Sequence, residues 1–193
     1  MATATSNLPP RPIVLTYDDL RTTPDDGRRY EIIEGDLYVT PAPTISHQRI
    51  SRNLEFVLHT YFTQHGLGEV LNAPVDVLLD RHTIVEPDLL FVSSARSGMI
   101  SERGIEGAPD LVVEILSPGT EQRDRGFKQQ AYARYGVAHY WRVDPVARTV
   151  TELVLSGASY DVLATHTVGT SMRSALFPAL AIDLASIFPA QGA

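Results

Sequence analysis

Cysteine is absent from the 193 residues, which excludes disulfides and thiolate-held metals and leaves oxygen and imidazole as the metal donors. Lysine is almost absent: fifteen of the sixteen basic residues are arginine, and the exception is Lys128. No apolar run approaches the ~18 residues of a membrane-spanning helix. The opening MATATSNLPPRP has neither the basic nor the apolar region of a secretory signal. It reads as a flexible arm over 1–12, ahead of one domain over 13–193, and a cytoplasmic protein is the expectation. Positive charge is also scarce, with 23 acidic residues against 16 basic and a net charge of −7. That argues against indiscriminate polyanion binding but not against a local basic groove. H-x-x-x-H pairs, Gly-rich phosphate loops after a strand and G-x-S-x-G elbows are all missing, so zincin, P-loop and serine-hydrolase chemistry are set aside.

The hydropathy pattern indicates an α/β (α+β) chain with a mixed central sheet flanked by helices. YEIIEGDLYV (30–39) reads as two strands turning at Glu34-Gly35-Asp36. Ile50, Leu54, Leu58, Tyr61 and Phe62 form one stripe on a helix from about Ser46 to His65, with Thr44 or Ser46 to cap it. Residues 69–80 and 84–92 read as two strands around a DRHT turn, and 93–108 as a loop. Residues 109–117 are the next strand and 120–136 the next helix, with Phe127, Ala131 and Tyr135 on its packing face. Strand 139–145, a hairpin over 149–167 and a short C-terminal docking helix complete the order.

In the strand PDLVVEILS (109–117) a carboxylate, Glu114, interrupts an aliphatic run. Side chains alternate along a strand, so Glu86, Asp88, Leu90 and Val92 share one face, as do Asp110, Val112, Glu114 and Leu116. If the two strands are neighbours, Asp88 and Glu114 project side by side. Two buried carboxylates repel, and either a proton or a cation must relieve them. Mg²⁺ suits such a pair, held by the two carboxylates, the Ile115 carbonyl, waters and a substrate phosphate. The bland alternative leaves Asp88 capping a bend and Glu114 beside an arginine. Lys128 lies next to the packing face of the second helix, whence its amine can reach Glu114 and a scissile phosphate. The competing reading is a surface Asp124–Lys128 pair, which an arginine would serve equally well. His47, at the start of the first helix and off its stripe, can line the same cleft. Arg103, Arg123 and Arg125 flank it and can supply a positive rim. Pro109-Asp110 is a second Pro-Asp pair, three residues from Glu114 on the same strand, and reads as strand entry.

Pro87-Asp88 followed at distance by Glu114-Ile115-Leu116 is similar to the PD-(D/E)XK nuclease pattern, with Leu116 where the lysine usually stands. Beyond that pattern, YEIIEG, PAPTISHQRIS, GEVLNAPVDVLL, EPDLLFV, GAPDLVVEILSPGT, DRGFK and YARYGVAHYWRVDP resemble the Uma-type family of restriction endonucleases over roughly residues 16–188. The resemblance implies a restriction-endonuclease-like fold, a divalent metal (Mg²⁺ or Mn²⁺) on Asp88 and Glu114, and Lys128 as a catalytic lysine moved to the helix. It also draws in Glu31 of YEIIEG, as an extra acidic ligand or a structural partner of an arginine. The expected activity is hydrolysis of DNA phosphodiester bonds, and a homodimer would pair two sites for two strands. The rival is a non-catalytic nucleic-acid or protein interaction module on a nuclease scaffold. A third reading is a phosphohydrolase acting on nucleotides.

Overall fold

In the computed structural model residues 13–117, 124–174 and 176–189 are described; the expected arm, 1–12, lies outside them. Strands β1 (Arg29–Ile33) and β2 (Asp36–Thr40) meet at Glu34 and Gly35, whose φ angles of 53° and 88° are both positive. This is the two-residue turn that matches strand twist, and Gly35 adopts it without a Cβ penalty. A four-residue helix, α1 (Tyr17–Leu20), covers the outer side of the hairpin, where Leu20 packs with Tyr30 and Ile32. Alternation then turns Arg29, Glu31 and Ile33 inward.

Helix α2 (Ile45–His65) begins where the Thr44 side chain accepts the His47 backbone N–H at 3.2 Å and ends at Gly66, in the left-handed region. Its Ile50, Leu54, Leu58 and Phe62 are buried as the spacing predicts. Residues 69–80 and 84–92 depart from expectation: neither is a single strand. The first becomes β3 (Gly68–Asn72) and β4 (Val77–Asp80), the second β5 (Thr83–Val85) and β6 (Leu89–Ser93). Pro74 and Pro87 fall in the gaps, where a missing N–H ends a ladder. β3 pairs with β6 and β4 with β5, so one hairpin passes from one sheet into another. The Ala73 N–H donating to the Asp88 carbonyl (3.1 Å) spans the crossing.

The segment expected as a loop contains a 3₁₀ turn (Ser94–Met99) and two short strands, β7 (Ile100–Ser101) and β8 (Gly104–Glu106). After β9 (Leu111–Ile115) come a π-helical turn (Asp124–Lys128), α3 (Gln129–Tyr135), β10 (His139–Asp144), β11 (Thr149–Ser156) and β12 (Ser159–Thr167). The C-terminal segment forms β13 (Ser171–Arg173), β14 (Ala181–Asp183) and the short helix α4 (Leu184–Ile187). Asn53 of α2 docks that helix by donating to the Ser186 and Ile187 carbonyls, both at 3.1 Å.

One sheet has the order β12-β11-β10-β9-β6-β3 and is mixed, because β9 and β10 run parallel. The second is β2-β1-β5-β4-β8-β7, and β13 and β14 form a separate two-stranded sheet. On one face of the first sheet, Leu89, Phe91, Leu111, Val113, Trp141 and Val143 pack on α2. The alternate residues Leu90, Val92, Val112 and Tyr140 face α3 and, from the second sheet, Ile33, Val77 and Val85. A mixed α/β fold with helices on both faces is therefore observed. Of the expected 120–136 helix, 120–123 lie outside the described residues; among those described, Asp124–Lys128 is π-helical, Gln129–Tyr135 is α-helical, and the packing face includes Lys128, Ala131 and Tyr132. Phe127 is exposed.

Thr44→Ala removes the α2 cap and is expected to cost about 1 kcal/mol in urea unfolding, with Thr44→Ser close to neutral.

Candidate active site

The ladder between β6 and β9 pairs Leu90 with Val112 and Leu89 with Val113. One step further along the same register, Asp88 falls opposite Glu114. Both carboxylates are buried, at 5% and 2% exposure, on the sheet end where the chain crosses between sheets. The second Pro-Asp pair marks the far end of that ladder. There Asp110 accepts the Ser93 backbone N–H at 2.7 Å and the Arg96 guanidinium at 2.9 Å. It ties down strand entry, as the sequence suggests.

Lys128 is 2% exposed, which rules out the surface-pair reading. Its Nζ lies 2.6 Å from Glu114 Oε1 and 2.8 Å from Glu31 Oε1. Glu31 comes from β1, Glu114 from β9 and Lys128 from the turn into α3, so one ammonium joins both sheets and the helix. Tyr132, one helical turn beyond Lys128, donates its hydroxyl to Glu114 Oε1 at 2.6 Å. Burial, then the charges of Glu114 and Glu31, pushes the Tyr132 phenol well above its ordinary value, so at neutral pH it stays a donor. The Glu86 backbone N–H donates to Glu31 Oε1 at 2.8 Å.

Asp88 is held from three sides. Its Oδ2 accepts the Ile115 backbone N–H at 2.8 Å and lies 3.0 Å from His47 Nε2; its Oδ1 accepts Arg29 Nη1 at 3.2 Å. Burial opposes the negative charge, but the His47 hydrogen bond and charge, then Arg29 and the Ile115 amide, outweigh it and hold the pKa below the usual carboxylate value. Arg29 in turn has a raised pKa: burial works against its charge, while Asp88, Glu114 and Glu31 favour it.

The structure thus brings together Asp88, Glu114, Lys128, Glu31 and His47. It also adds three side chains that sequence reasoning missed: Arg29, Tyr132 and Glu86. The signals existed in the alternation of RYEII and the i, i+4 spacing of Lys128 and Tyr132. Of the proposed arginine rim, Arg103 stacks over Tyr17 at 4.7 Å; Arg123 and the Arg125 side chain lie outside the described residues.

A family model, Uma2, described as "Putative restriction endonuclease", matches residues 16–185. The chain belongs to the Uma2 family. It is also similar to the crystal structure of a "putative nuclease belonging to DUF820" from Anabaena variabilis ATCC 29413, at TM-score 0.74 and 20% identity. That match covers 90% of this chain and 97% of the other. At that identity the likeness concerns the fold. No curated protein matches the sequence.

Restriction-endonuclease-like nucleases generally use divalent metals. In this Uma2 chain no group of three or more acidic or histidine side chains forms a metal cage among the described residues. Asp88 and Glu114 supply carboxylate oxygens, the donor type a hard cation takes. They stand at opposed register positions on neighbouring segments, and the cluster holds the Lys128 ammonium 2.6 Å from Glu114. Mg²⁺ is commonly held by one or two carboxylates, with water and phosphate completing the shell.

Beside this cluster Glu86 carries a buried Oε2 with no hydrogen-bond partner. Burial, then the Asp76 and Glu31 carboxylates, pushes its pKa from 4.5 up to about 7, against the pull of Arg29 and Lys128. Because the folded-state pKa is raised, the stability tied to the protonated group is complete below pH 4.5 and is lost as pH rises through about 7. Glu86→Gln is expected to flatten the melting temperature across that window relative to wild type. Lys128→Met leaves two buried carboxylates without the bridging cation and is expected to cost about 3–5 kcal/mol at neutral pH. The deficit, read from urea unfolding, shrinks as acid supplies the missing protons.

Proposed function

We propose that the chain is a metal-dependent endonuclease that hydrolyses phosphodiester bonds of DNA. The observation that carries this reading is the convergence of Asp88, Glu114 and Lys128 at one sheet end, within a chain of the Uma2 family, whose description is "Putative restriction endonuclease". When bound, Mg²⁺ or Mn²⁺ would be held by Asp88, Glu114 and the Ile115 carbonyl, and would supply Lewis-acid polarisation and a more acidic water. The protein's own groups prepare the site. Arg29, His47 and the Ile115 amide fix both oxygens of Asp88. Tyr132 and Lys128 fix Glu114.

Lys128 has a second task in this reading. Its ammonium is a compact charge on a flexible stem, able to leave one carboxylate and meet the charge that builds on the phosphate as water attacks. Glu31 holds the amine beside Glu114 by its 2.8 Å ion pair. Because Glu31 comes from the other sheet, it holds Lys128 in place without needing to contact the phosphate.

The test is plasmid cleavage with Mg²⁺ and with Mn²⁺ by wild type and by Asp88→Ala, Glu114→Ala and Lys128→Ala. Wild type should cut, and each variant should lose at least about 100-fold in rate, as expected when transition-state charge stabilisation is removed. Equal cutting by all four proteins would expose a contaminant. Absence of cutting together with no Mn²⁺ binding at millimolar concentration would favour the interaction-module reading.

A further inference from the structure

Within the β1–β2 hairpin, Arg29 is paired with Thr40 and Glu31 with Tyr38. Opposed residues share a face, so Arg29, Glu31 and Tyr38 all look inward, with Arg29 and Tyr38 as diagonal neighbours about 7 Å apart. Glu31, between them, is the residue that holds Lys128. On the opposite wall, Phe127 immediately precedes Lys128. Its ring lies 6.1 Å from that of Tyr38, with the planes at 40°. Phe127 is 56% exposed, a large apolar ring left in water one residue from the buried ion cluster.

Arg29 has a matching feature. Its side chain is 20% exposed and so stands between Asp88 and solvent. A guanidinium has five N–H donors in a planar fork. Among the described residues one of them is engaged, in a long 3.2 Å bond to Asp88. The remaining donors suit phosphate oxygens.

We infer that the inner face of this hairpin is a nucleotide subsite, with Arg29 taking a backbone phosphate and the Tyr38–Phe127 rings taking an unpaired base beside the candidate active site. This rests on the nuclease reading and specifies its substrate: the strand to be cut enters single-stranded or locally unpaired. The charge balance points the same way. A chain with 23 acidic and 16 basic residues is poorly made for tracking both backbones of a duplex. One phosphate contact plus ring stacking asks little of its basic residues, and stacking tolerates any base.

The probes are a short fluorescent thymidine oligonucleotide and a duplex of equal length, titrated by anisotropy in Ca²⁺ over a range of salt. The single strand should bind tighter than the duplex. Phe127→Ala should weaken single-strand binding by about tenfold at unchanged melting temperature, and Phe127→Trp should restore it. Arg29→Met should lower the salt slope of log Kd by about 0.7, the loss of one single-strand phosphate contact, and Arg29→Lys should recover much of it. A purely structural Arg29 would alter the melting temperature and leave that slope intact, which overturns its assignment. Equal or tighter duplex binding, or a Phe127→Ala protein that matches wild type, overturns the base subsite. If wild type cuts duplex and Phe127→Ala cuts it equally well, only this inference falls. If wild type neither binds nor cuts either nucleic acid with Mg²⁺ or Mn²⁺, the nuclease reading falls with it.

Discussion

One buried ammonium organises the structure. Lys128 reaches Glu31 on one sheet and Glu114 on the other from the turn that opens a helix. Removing three charges from water costs several kcal/mol per ion before their attraction returns any of it. Hydrophobic residues would hold the same elements together at lower cost. The arrangement therefore makes more sense as positioning than as stabilisation, because a charge held at fixed distance from two carboxylates specifies where the sheets meet.

That constraint explains the crossing hairpin. Prolines at 74 and 87 end each ladder just where the chain must leave one sheet for the other. Asp88 sits at that break, freed from a strand interior yet anchored by the Ile115 amide. The π-helical turn before α3 has a similar consequence. It puts Lys128 and Tyr132 on the buried face together and turns Phe127 outward. Such turns are frequent at functional sites, where a side chain must be re-aimed without ending a helix.

Much of this was legible from residue order. Alternation placed Asp88 and Glu114 side by side, and the scarcity of lysine marked Lys128. The helix at 45–65 and the Glu34-Gly35 turn followed from spacing and turn chemistry. What stayed hidden depended on three-dimensional crossing. Arg29, on β1, and Glu86, just after β5, join the cluster because those strands belong to a second sheet packed on the first, which a reading with one sheet does not contain. Tyr132 was missed because an ideal α-helix from residue 120 puts the packing face on Phe127, Ala131 and Tyr135. A widened turn rotates that face. The family resemblance carried Glu31 into the site and left its partner open between a metal and an arginine; it did not foresee the lysine and the Glu86 amide that meet its Oε1.

A sole lysine with 2% exposure has a practical side. Acylating reagents that seek ε-amines find none presented by the closed protein. Modification at residue 128 requires the two sheets to part from the helix, so its rate reports how often this junction breathes, on a chain that provides no competing ε-amine.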